Sequence, residues 1–292
     1  MGNGNRKIKY AALSIISNTA LILLKIMAGA LSGSVSIISE AIHSSTDLAA
    51  SLVAFFSVKQ SVKPADKEHP YGHGKIENIS GLVEGFLIFI AAGLIIIEAV
   101  KKLSEPTEIE QAFVAIAVMF ASALINLLVS GKLYKVAGEE ESMALEANAL
   151  HLKTDVYTSV GVGVGILLIK LTGFVLLDSI VAIFVAVLII KEAWNLCQSA
   201  LNYLLDSRLS EKEEAEIEII IRENSRQIRD YHKLKTRKSG NIKHIDFHIT
   251  IDRNITVEDA HNIVGGLKKA MSDKFSNTRV NVHIDPYKND DQ

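Results

Sequence analysis

Residues 35–57 read VSIISEAIHSSTDLAASLVAFFS. The stretch is long and apolar enough to cross a hydrocarbon core as a helix, yet it carries His43 and Asp47. Residues four apart share a helix face. In lipid, such groups must turn toward the bundle interior or a wet cavity. A second stretch, 147–170, repeats the spacing in His151-Leu152-Lys153-Thr154-Asp155. Either pair alone fits an intrahelical hydrogen bond in a bundle core. Two of them bury two carboxylates in lipid-crossing helices, which is costly without a partner. Opposed faces would offer two imidazole nitrogens and two carboxylate oxygens, a set that suits tetrahedral zinc. The set suits magnesium and calcium poorly, because they prefer all-oxygen shells. Histidine titrates near neutral pH and binds metal only when neutral. Metal and proton would therefore compete, which is the logic of an antiporter.

Working outward, six segments have spanning length: 10–30, 35–57, 79–100, 111–131, 147–170 and 175–198. Lys25, Glu40, Glu84, Asn126 and Asp178 are further polar or charged groups inside them. Segment five turns apolar only after Asp155, and its Gly161 and Gly165 suit close helix packing. Arg6, Lys7 and Lys9 precede the first segment, which reads as a retained membrane helix. With the N-terminus inside, Lys59, Lys63, Lys67, Lys75, Lys132 and Lys135 also fall inside. The outer loops 31–34, 101–110 and 171–174 hold only Lys101 and Lys102. This bias predicts cytoplasmic termini. The expected division is a six-helix membrane domain over 1–206 and a cytoplasmic domain over 207–292.

Composition narrows the function classes. Of 292 residues, 49% are hydrophobic, and they concentrate before residue 200. The 31 basic and 33 acidic side chains leave a net charge of -2. No clustered positive face suggests nucleic acid. Cys197 is the single cysteine, which excludes an intrachain disulfide and a cysteine-rich metal site. Gly72-His73-Gly74-Lys75 has the wrong length and flanks for a nucleotide phosphate loop, so transport would run on a gradient. Neither His43 nor His151 has the glutamate neighbour of an H-E-x-x-H protease motif. The expectation is a secondary transporter rather than an enzyme.

The polar C-terminal part reads as αββαβ, a small two-layer α+β domain. Ser210 caps a helix with an acidic first turn that runs to about residue 225. Strands are expected over 233–238, 243–251 and 279–285, with Gly240-Asn241 as a turn. Ile245, Phe247, Ile249 and Ile251 share one strand face; His244, Asp246 and His248 share the other. Thr256-Val257-Glu258-Asp259 opens the second helix as a capping box. Asp66, His69 and His73 lie in the loop 58–78, which fits a small metal site and a solvated charged loop equally well. His232, His248, His261, His283 and Asp285 fall on separate elements, and spacing alone does not show whether they meet.

At these residues the chain resembles the cation diffusion facilitator family, in particular its bacterial and archaeal zinc, iron and manganese exporters. The resemblance covers residues 8–286. His43, Asp47, His151 and Asp155 match the family's transport site. Asp66-Lys67-Glu68-His69-Pro70-Tyr71-Gly72-His73-Gly74-Lys75 with Glu77 matches the loop after its second helix. The resemblance implies a second metal site at Asp66, His69 and His73. It also implies a binuclear site at His232, His248, His261, His283 and Asp285, in which His248 and Asp285 bridge. It further implies a ferredoxin-like, metallochaperone-like cytoplasmic domain and a homodimer held by an ion pair of Lys75 and Asp206. Histidine at position 43 resembles zinc-transporting members and leaves iron, cadmium, cobalt and manganese open as cargo. A sensing or assembly relative is the alternative role. The short 132–144 connection resembles prokaryotic members of the inner or plasma membrane. His244 matches no position in the family's metal pattern and reads as a surface histidine or an auxiliary ligand.

Overall fold

A computed structural model describes residues 3–32, 35–104, 112–172, 174, 176–223 and 227–287. The side chains of Glu40, His43 and Asp178, together with Gly165, lie outside the described residues. The chain divides into two compact units, Met1–Leu201 and Asn202–Gln292.

The first unit holds six long helices: α1 (Asn3–Ser32), α2 (Val35–Ser61), α3 (Ile76–Ser104), α4 (Ala112–Glu140), α5 (Met143–Thr172) and α6 (Leu176–Leu204). Each outruns the apolar segment that marks it, because polar end turns extend the helix without changing its hydropathy. Four are long and apolar enough to cross a membrane, over Gly4–Ala28, Ile76–Lys101, Ala117–Glu140 and Ser179–Leu204. Helices α2 and α5 are not among these four, and the side chains of much of the apolar part of each lie outside the described residues.

One buried carboxylate fixes the helix directions. Glu77, at the start of α3, accepts from Lys7 Nζ at 3.0 Å and Ser61 Oγ at 2.6 Å, and also from Ser142 Oγ. Lys7 and Glu77 are both almost fully buried. Arg6 reaches Glu139 and, at 3.2 Å, Glu140. The starts of α1, α3 and α5 thus meet the ends of α2 and α4. Consecutive helices must therefore alternate in direction. Ala11, Val58, Leu133, Leu145 and Leu152 fill the same end with apolar side chains.

Two glycines bring α3 close to its neighbours. A Cβ on Gly81 would stand 2.8 Å from Met143 Cγ, and one on Gly85 would stand 2.4 Å from Cys197 Sγ. Gly161 does the same for α5, since its Cβ would meet Val185 Cγ2 at 2.9 Å.

The second unit runs α7 (Glu211–Glu223), β1 (Asp230–Ser239), β2 (Ile242–Ile251), α8 (Val257–Lys274), β3 (Thr278–Pro286). Ser210 and Glu213 cap α7 reciprocally: Glu213 N–H donates to Ser210 Oγ, and Ser210 N–H donates to Glu213 Oε2. Thr256 caps α8 through Asp259 N–H at 3.1 Å. Strand β2 is central, antiparallel to β1 and parallel to β3. Phe247, Ile245, Ile249 and Ile251 are buried with Ile217 and Ile221 of α7 and with Leu267 and Met271 of α8. Alternation along β2 then sends Asp246 and His248 to the other face.

Strand β1 begins earlier than expected. Lys233 adopts φ 54, and the register slips between His232 and Lys235. This bulge lets the strand start at Asp230 and sets His232 opposite His248. A run as polar as Asp-Tyr-His-Lys gives no alternating pattern from which to read it.

Candidate metal centres

In the first unit, ligand atoms of Asp47, His151 and Asp155 lie within 4.8 Å of one another. Asp47 comes from α2, while His151 and Asp155 share one face of α5. His151 Nε2 donates to Asp47 Oδ1 at 3.1 Å. Asn126 Nδ2 of α4 donates to Asp155 Oδ2 at 3.4 Å. His43 stands one helical turn before Asp47 on α2, and its side chain lies outside the described residues.

The surroundings differ along the bundle axis. Away from the Glu77 end, a cavity is lined by Lys25, Ser44, Asp47, Ser122, Asn126 and Asp155. Lys25 Nζ donates to Ser44 Oγ at 2.7 Å. Toward the Glu77 end, a buried polar layer closes over the site. Ser14 and Ser51 hydroxyls lie 2.9 Å apart, and both donate to Asn148 Oδ1. Asn18 Nδ2 donates to Ser51 Oγ at 2.8 Å and to the Asp47 carbonyl at 3.3 Å. Sequence reading flagged Lys25 and Asn126 as polar but missed this layer. Its trace was present in Ser44, Asp47 and Ser51 at helical spacing, and in Asn148 one turn before His151.

The second group is in the loop between α2 and α3. Asp66, His69 and His73 offer ligand atoms within 4.8 Å. Asp66 Oδ1 lies 3.3 Å from His69 Nδ1, and Oδ2 lies 3.4 Å from His73 Nε2. The His69 backbone N–H donates to Asp66 at 2.6 Å and is the main reason its carboxyl is held below the usual range. Gly72 takes φ 88, a left-handed turn open to glycine, and so curls His73 back onto Asp66.

The third group is in the second unit. His232, His248 and His283 occupy the same register position on β1, β2 and β3. Their rings follow one another at 5.2 and 4.5 Å. Asp285, two residues beyond His283, lies 3.3 Å from His232, 2.9 Å from His248 and 3.4 Å from His283. The hydrogen bond from His248 chiefly holds its carboxyl below the ordinary range. His232, His248 and Asp285 offer ligand atoms within 4.8 Å of one another, a donor set that zinc accepts, and His283 adjoins it through Asp285. His261 is exposed on α8 and is not among the converging ligand atoms.

Two expectations turn out differently or stay open. His244 is buried rather than superficial, at 5% exposure. It lies in register between Arg237 and Arg279. Burial pushes its imidazole pKa down, and the two guanidiniums push it further. A site flanked by two fixed cations is a poor place for a metal ion. Asp206 accepts from Arg237 at 3.3 Å within the second unit, and its pairing with Lys75 stays an expectation.

The chain matches two family profiles: a cation efflux transmembrane domain over residues 11–205 and a cation efflux protein cytoplasmic domain over residues 209–287. It is 34% identical over 277 residues to an uncharacterised transporter of Synechocystis, covering 95% of this chain and 89% of that one. It is 30% identical over 283 residues to the cation-efflux pump FieF of Pectobacterium atrosepticum, covering 95% and 93%. A solved structure of CzrB in its Zn form is 28% identical over 28% of this chain and 92% of that one, with a TM-score of 0.27.

Proposed function

We propose, from the premise that this chain belongs to the cation diffusion facilitator family of cation efflux transporters, that it exports zinc from the cytoplasm in exchange for protons. One observation carries the reading. Asp47, His151 and Asp155 bring ligand atoms from two helices within 4.8 Å of one another in the bundle interior. His43, one turn from Asp47, would supply the fourth ligand, giving the two-nitrogen, two-oxygen set that favours zinc. Iron, cadmium, cobalt and manganese are the alternative cargoes.

The chemistry follows from the donors. A metal ion competes with protons for the imidazoles, so zinc arrival expels protons and proton arrival loosens zinc. The bond between His151 and Asp47 holds the site together when protons occupy it. Six crossings, cytoplasmic termini and a homodimer in the cell membrane complete the proposal. Lys75 and Asp206 would pair at the membrane surface, and the loop and sheet groups would hold further metal. His261 would join the sheet group when metal draws it in.

Proteoliposome flux tests this reading. Zinc, iron, cadmium and manganese are supplied in turn while internal pH and metal are followed. Zinc-driven proton movement that disappears in Asp47→Ala and in Asp155→Ala is expected. Folded dimers that bind zinc yet move no metal would overturn it and leave a sensing or assembly role.

A further inference from the structure

Glu84 of α3 is fully buried, at 0% exposure. Its Oε1 accepts from Ser80 Oγ at 3.3 Å, while its Oε2 is buried with no hydrogen-bond partner. A carboxylate oxygen left bare inside a membrane bundle is costly and marks a functional group. It cannot readily swing out. The adjoining Gly85 and the nearby Gly81 press α3 against Cys197 and Met143, closer than any Cβ would allow.

A second bare atom lies on the neighbouring helix. His151 uses Nε2 to hold Asp47, and its Nδ1 is buried with no hydrogen-bond partner. Helix α3 packs on α5, and Glu84 and His151 act on each other electrostatically. Two orphaned polar atoms of complementary type therefore face the same interior.

We propose that Glu84 is a positioning residue for the transport site, receiving the Nδ1–H of His151 when Nε2 binds the cargo metal. The inference rests on the reading of Asp47, His151 and Asp155 as that site. A metal on Nε2 requires the imidazole proton on Nδ1, the reverse of the tautomer that donates to Asp47. That N–H then needs an acceptor in a place without water. A metal-bound histidine typically gives its other N–H to a carboxylate or carbonyl, which fixes the ring and strengthens the donor nitrogen. Metal capture of Asp47 releases the ring from its present partner and leaves Glu84 as a carboxyl group on the packed neighbouring helix with which His151 already interacts electrostatically. Ser80 holds the opposite carboxylate oxygen and leaves Oε2 unmatched.

The test uses the full-length dimer in which Asp66→Ala and His248→Ala weaken the other two metal groups. Zinc affinity is measured by calorimetry, and zinc KM and kcat in proteoliposomes. Glu84→Gln keeps the shape and loses the charge. Its zinc affinity is expected to fall roughly 10–100-fold, with KM rising in parallel and kcat less affected. Glu84→Asp keeps a shortened carboxylate and should fall between wild type and Gln. In a His151→Gln background, Glu84→Gln should add nothing, since its effect passes through the imidazole. Wild-type affinity in Glu84→Gln, or an equal loss without the imidazole, overturns the inference. Asp155→Ala in the same background separates the two claims. If it leaves zinc binding intact, the transport-site reading fails and this inference with it. If it abolishes binding while Glu84→Gln does not weaken it, only the role of Glu84 is lost.

Discussion

His151 Nε2 lies 3.1 Å from Asp47 Oδ1, so two atoms that a metal would take from different helices are bonded to each other. The bond spans α2 and α5 and makes one electrostatic unit of two separate pairs. Asp47→Asn keeps a hydrogen-bonding side chain and removes the anionic ligand. It is expected to lower zinc flux at least 100-fold while leaving the protein folded, as followed by a zinc-sensitive dye inside vesicles.

Selectivity should respond at His43, one turn from Asp47 on α2. His43→Asp replaces an imidazole with a harder oxygen donor. The ratio of zinc to manganese flux is expected to fall by about tenfold or more, read in the same vesicles with each metal alone.

Lys7 and Glu77 form a buried ion pair that also engages Ser61 and Ser142. Removing one partner strands the other charge, which costs about 3–5 kcal/mol. Glu77→Ala should lower the detergent unfolding midpoint markedly. Lys7→Met with Glu77→Met should lose less than Glu77→Ala alone, because no charge is left stranded.

Gly85→Ala places a methyl 2.4 Å from Cys197 Sγ and is expected to destabilise the bundle by about 1–3 kcal/mol. The next contacts are ordinary, at 3.6 Å or more. Cys197→Ala should therefore recover most of the loss, as measured by thermal unfolding of the single and double variants.

The sheet group should release metal as pH falls from about 7 to 5, where imidazoles gain protons. Asp285 does not contribute to that change. Its folded pKa is depressed, so its stabilising effect is present above the unfolded value of about 4 and is lost only below it. Metal retention by full-length protein across that range, assayed by equilibrium dialysis with Asp66→Ala in place, checks the sign. His248→Ala is expected to remove the share of retention that belongs to the sheet group.

Much of this was legible because hydropathy and short-range spacing carry it. His43 with Asp47 and His151 with Asp155 announce themselves as charges four apart in apolar runs. Ser210 and Thr256 mark helix starts by local chemistry alone. What stayed hidden depends on distant partners. Lys7 looks like one of several basic residues before a membrane helix, and only the fold sets its ammonium on Glu77. His232 precedes the strand that its sequence suggests, and a bulge at Lys233 brings it into line. His244 alternates like a surface residue, yet neighbouring strands enclose it between Arg237 and Arg279. Glu84 was visible as a charge in a span, but its unmatched oxygen exists only in three dimensions.

The polar layer of Ser14, Ser51 and Asn148 lies on one side of the proposed transport site, the cavity that reaches Lys25 lies on the other, and Asn18 borders both. With the helix starts placed in the cytoplasm, the bundle is like an airlock with its inner door shut. This arrangement suits the discharge half of a cycle. Loading would require four hydroxyl and amide side chains to exchange partners with water, and the Lys7–Glu77 pair either to part or to travel intact with its helices. The barrier between the two halves is thus built partly from hydrogen bonds that water can replace and partly from the apolar packing of Ala11, Val58 and Leu152 at the same end.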